Sequence, residues 1–134
     1  MTTSVQPEID VTGAAFAAAA ASVRDGAVAL SARVPGLAPA SAKTVLASLT
    51  ALREDIARVE VAVVAQFARL GAPKHAGARS TEAWLEQHAN KSAWAAKQVT
   101  GAIAASASSV VRDALERGDL GVEQAALLAP LVAR

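Results

Sequence analysis

The chain has 134 residues, a formal net charge of +1 and no cysteine. That length suits one domain with a real core rather than two, and the near-neutral balance excludes a general attraction for nucleic acid by the chain as a whole. The missing thiols exclude a disulfide framework and a thiolate zinc site together. Alanine supplies roughly a quarter of the residues, and its leading helix propensity points to an all-α fold.

Residues 1–11 are polar, contain Pro7 and read as a disordered arm. Thr12 is placed to cap a first helix that runs to about Val34, where Pro35, Gly36 and Pro39 break the chain. Within it the apolar run AAFAAAAASV covers only residues 14–23, about half of what a membrane-crossing helix needs. Glu8 and Asp10 precede it with no Lys or Arg, so the basic start of an export signal is missing. A cytoplasmic protein without membrane contact or cofactor is the expectation.

Ser41 is placed to cap a second helix. Its apolar positions Val45, Leu49, Leu52, Ile56, Val59, Val63, Phe67 and Leu70 recur in steps of four and three, with Arg53, Glu54, Asp55, Arg58 and Glu60 off the stripe. Residues 41–70 would span about 45 Å at 1.5 Å per residue, and Gly71 and Pro73 end the element. The stripe has two uses that do not exclude each other: packing inside a bundle with the first and C-terminal helices, or a homodimer seam over Val45, Leu49, Leu52, Ile56, Val59 and Val63. The first is expected. Residues 12–70 thus read as a helical hairpin, 71–80 as a basic connector, and 81–134 as a helix-turn-helix-like part, all within one helical domain.

That last part opens with GARSTEAWLEQHANKSAWAAKQV, residues 77–99. Ser80 reads as an N-cap for a helix from Thr81 to about Ala89. Asn90 suits the left-handed turn, and Ser92 caps a second helix whose inward face carries Ala96, Val99 and Ile103. Leu85, Ala89, Ala96 and Val99 are expected to pack the pair together, Trp84 to anchor the core, and His88 to be a half-buried structural residue. Packing under another helix is also expected for Trp94. Two short helices joined by such a turn have the geometry of a helix-turn-helix. From Arg69 to Lys97 five basic side chains (Arg69, Lys74, Arg79, Lys91, Lys97) meet two acidic ones (Glu82, Glu86), a local balance of +3 and a modest footprint for phosphate binding.

Ser108 or Ser109 caps the next helix, with Val111, Leu115 and Val110 as its apolar face. After GDLG a last helix places Val122, Ala125, Leu128 and Leu131 inward. Its pattern runs to Arg134 with Pro130 inside it, as expected of a chain cut short or completed by something else.

The stretches GARSTEAWL and VVRDALERGDLGVEQAALLA, with the long helix ending in FARLGAPKHAGARS, resemble the domain of unknown function 222, or 13E12 repeat, family over roughly residues 12–134. The most specific matches are Ser80, Trp84 and Leu85, then Ala114, Leu115 and Gly118, then Gln124 and Ala125. The chain differs from the family's usual pattern in having Asn90 and Lys91 at the turn and Lys97 as the only cation on the second helix. The resemblance implies an actinobacterial, all-helical, non-catalytic module that guides an HNH endonuclease to double-stranded DNA. The same order of elements is also similar to the DNA-binding part of ParB-type partition proteins. Candidate DNA contacts are then Arg79, Lys91, Ser92, Lys97 and Gln98. The nuclease itself is not expected in this chain: its only histidines are His75 and His88, without the strands and metal-ligand cluster that an HNH site requires. A helical self-association module that never touches DNA is the alternative.

Overall fold

The computed structural model describes residues 11–71, 74 and 77–133. The N-terminal arm, Pro73, His75 and Arg134 therefore lie outside the described residues, apart from Val11, which is already helical. Six α-helices and two 3-10 turns make up the described chain, with no strand among those residues, so the protein is all-α. It divides into two units, Met1–Thr44 and Val45–Arg134.

In the first unit, α1 (Val11–Arg33) follows from alanine propensity and buries none of its residues. Pro35 and Pro39 each sit near the start of a 3-10 turn, Val34–Gly36 and Pro39–Ser41, where a missing N–H leaves no bond unmade. Ser41 thus closes a turn, donating its N–H to the Ala38 carbonyl at 2.9 Å. The helical segment Val11–Gly36 is longer than the apolar run inside it, and by length and composition alone it could cross a bilayer. Arg24 and Asp25 stand at its middle, where each charge would cost about 2.5–3.5 kcal/mol in hydrocarbon.

Helix α2 (Ala42–Arg69) leads into the second unit, followed there by α3 (Thr81–His88), α4 (Ala93–Ala105), α5 (Ser109–Arg117) and α6 (Val122–Val132). Local chemistry sets these boundaries. Ser80, Ser92 and Ser108 each accept the N–H of the residue three further on, satisfying a donor that the first helical turn leaves orphaned. Asn90 takes the left-handed conformation with φ 51°. Gly118 ends α5 with φ 79°, a region where a side chain is strained.

The core has small members: Val61 and Val64 of α2, Leu85 of α3, Ala96, Val99 and Ala102 of α4, Leu115 of α5, and Val122 and Ala125 of α6. Helix α4 lies at its centre, and a Cβ built on Gly101 would come within 3.0 Å of the Ala126 Cβ on α6. The two helices therefore meet at backbone distance.

Several sequence expectations are corrected here. The long stripe of α2 is not the face that enters the core. Leu49, Leu52, Ile56 and Val59 are 37–49% exposed, and Val45 and Val63 are half-buried. The docking face is Ala57, Val61 and Val64, roughly 130° around the helix at 100° per residue. Against neighbours made of alanine and valine, the thinner face approaches more closely. Ala89 is exposed at the C-terminus of α3, and Leu131 and Val110 also face solvent. Trp94 is 60% exposed and not packed under a helix. His88 is exposed as well, its ring tilted against Trp84 at 5.4 Å.

Candidate functional site

Two surfaces of the second unit carry the sequence-derived candidates. The first is the α3–α4 pair. Trp84 meets the Phe67 ring edge-on at 5.7 Å, tying α3 to the end of α2. Thr100 Oγ1 donates to Glu82 Oε1 at 2.7 Å, joining α4 to the first turn of α3. Neither contact was readable in the sequence, because each joins residues whose partner depends on the helix crossing.

The five candidate DNA contacts fall into different environments. Lys91 is ion-paired with Glu60 of α2, Nζ to Oε2 at 2.9 Å, with its side chain only 19% exposed. Its N–H also reaches the Leu85 carbonyl, so this residue fastens the turn to the long helix. The Ser92 oxygen accepts the Ala95 N–H at 3.1 Å, and Gln98 is half-buried. Arg79 and Lys97 are exposed. The outer face of α4 therefore offers a solvent-facing cation, Lys97, next to the exposed Trp94. Glu86 is also exposed on α3. Such a surface can make a few phosphate contacts and cannot generate a strong field.

The second surface is the α2 stripe, whose exposed members continue from Leu49 through Leu52, Ile56 and Val59 to Phe67 and Leu70, with Leu46 beside them. On the opposite side of the helix, two charged side chains reach the α5–α6 turn. The Arg58 guanidinium lies 3.5–3.7 Å from where a Cβ of residue 118 would be, at the C-terminal end of α5. Glu54 Oε2 lies 3.0 Å from the corresponding point at Gly121, the N-cap of α6. A guanidinium at a helix C-terminus and a carboxylate at an N-terminus both complement the helix dipoles, with Glu54 Oε2 buried there without a hydrogen bond. Arg58 also pairs with Asp55 on its own helix. Gln124 Oε1 completes the start of α6 by accepting the Gly121 N–H at 2.8 Å.

These side chains border an open polar cleft of about 360 Å³, edged also by Asp119 and Glu123. Among the described residues, no group of three His, Cys, Asp or Glu side chains is placed to hold a metal ion. The cleft reads as the seam where α2 meets the α5–α6 turn. No protein-family model matches the chain, no curated protein is significantly similar to it, and no solved structure matches its fold.

Proposed function

We propose that this chain is a non-catalytic helical interaction module that self-associates through the exposed stripe of α2. The observation that carries this reading is the outward position of Leu49, Leu52, Ile56 and Val59 on a helix already docked by another face. With Leu46, Phe67 and Leu70 the patch amounts to roughly 500 Å², near the upper end of what monomers expose contiguously. Two copies would together remove about 1,000 Å² from water, the lower bound for a specific interface. A hairpin in which α1 covers the same stripe is the competing use of this surface, and it would leave the chain monomeric. Sedimentation velocity over a hundredfold concentration range tests the proposal: a monomer–dimer shift that Ile56→Asp abolishes is the expected result. A concentration-independent monomer would overturn it.

A second reading is favoured by the helix pair, with its left-handed Asn90 turn and the exposed Trp94, Arg79 and Lys97. It is a DNA-targeting module of an HNH-nuclease-type protein, with the nuclease chemistry supplied by another domain, as the 13E12 resemblance implies. Anisotropy of a labelled random duplex at about 50 and 200 mM salt tests it, because phosphate contacts lose most of their affinity over that interval. Binding that falls steeply with salt and is weakened by Arg79→Ala/Lys97→Ala supports it. No binding at low salt removes it.

A further inference from the structure

Resting on the self-association reading, we infer that the occupant of the α2 stripe is a second copy of this chain and that the two helices run antiparallel, centred between Ala57 and Arg58. The stripe divides into heptad positions, with Leu49, Ile56, Val63 and Leu70 at a, and Val45, Leu52, Val59 and Gln66 at d. Four residues that flank it on one side then occupy e: Leu46, Arg53, Glu60 and Phe67. On the other side Ser48, Asp55, Ala62 and Arg69 occupy g.

Orientation follows from which of these meet. In a parallel pair each g residue faces the e residue five further on in the second copy, which sets Asp55 against Glu60 twice. Like charges so placed oppose association. In an antiparallel pair e faces e and g faces g. Arg53 then meets Glu60 of the second copy twice, and Leu46 meets Phe67 of the second copy twice.

Both members of the apolar contact are exposed in the single chain, Leu46 at 62% and Phe67 at 39%. Glu60 already accepts Lys91 through Oε2, and a carboxylate has lone pairs for a further donor, so Arg53 would extend that contact into a network. The apolar layers also match in the antiparallel arrangement, with Ile56 on Val59 at the centre and Leu52 on Val63 next to it. The docking face lies roughly 130° from the stripe, and where its neighbours reach the e side, Trp84 on Phe67 and Lys91 on Glu60, they leave Leu49, Leu52, Ile56 and Val59 exposed to a partner.

Because the chain has no cysteine, introduced cysteines report orientation directly. Leu52→Cys and Val63→Cys proteins, each full length, are mixed, allowed to exchange and oxidised, and sedimentation of the untreated protein is run alongside. The expected result is a dimer that forms a disulfide only between the two different variants. A dimer in which Leu52→Cys cross-links to itself overturns the antiparallel assignment while leaving self-association standing. A monomer at every concentration removes both. Arg53→Glu supplies a second reading: it should weaken the dimer about tenfold, two repulsive contacts replacing two attractive ones. An unchanged dimer constant would count against the arrangement.

Discussion

At the scale of single residues, the second unit depends on positions with no room or no freedom. Gly101 is the clearest case. Adding a Cβ there gains helix propensity of about 1 kcal/mol, yet the Ala126 Cβ at 3.0 Å and Cα at 3.3 Å would have to move. With two further methyl groups the conflict dominates, and we expect Gly101→Val to lose about 1–3 kcal/mol in urea denaturation, the usual penalty of overpacking. Substitution at a cap acts differently. Ser92→Ala removes the acceptor of the Ala95 N–H and should cost about 1 kcal/mol, with no change in the core. The caps Ser80, Ser92 and Ser108 and the left-handed Asn90 were legible in the sequence because their roles are local, fixed by neighbours within four positions, whereas Ser41, read as a cap, lies in a 3-10 turn set by Pro39. The Lys91–Glu60 pair was not legible, because its members lie 31 positions apart in the chain.

Among the elements, α2 shows how a correct pattern can be assigned the wrong partner. The steps from Val45 to Leu70 did mark a long helix. Large aliphatic residues at regular spacing also suggested the core-facing side. The actual core is mostly Ala96, Ala102, Ala125 and valines, with Leu85 and Leu115 as its larger members, and α2 meets it through Ala57, Val61 and Val64. Small residues carry little contrast in a hydrophobicity pattern, so the face they define was hidden. The two faces should separate cleanly on mutation. Val61→Ala and Val64→Ala each delete buried methyl groups and should destabilise the fold by about 2 kcal/mol, as measured by chemical denaturation. Leu52→Ser on the exposed face should leave the monomer's denaturation midpoint within about 0.5 kcal/mol of the parent. Any loss it causes should appear in association alone.

For the whole molecule, composition alone indicated an all-α protein, and the described residues form one. Function was less legible, because the candidate cations do not act as a set: Lys91 is spent on Glu60, and Arg79 and Lys97 remain at the surface. The environment of each depends on tertiary contacts that a local charge count does not see. The two functional readings consequently respond to salt in different ways. Duplex binding through two or three phosphates should fall by about one to two powers of ten between 50 and 200 mM salt. Association through an apolar seam should change far less, since only its rim contacts are screened. Measuring both constants on one preparation over that range separates the readings without mutagenesis.

The position of Arg58 and Glu54 beside the α5–α6 turn has a consequence for how α2 is steered. The fit of Ala57, Val61 and Val64 to a shallow floor chooses the docked face, and charged side chains at its edge narrow the remaining freedom to roll. A guanidinium beside one helix end and a carboxylate beside the other complement the two helix dipoles, and with the Lys91–Glu60 pair they favour one angle of roll. That angle turns the larger side chains away from the protein's own interior. The charged side chains thus help to keep the fold from consuming its sticky surface. Replacing two of them, as in Glu54→Leu/Arg58→Leu, should let the helix rotate its leucines inward, giving a protein of unchanged helix content that no longer finds a partner.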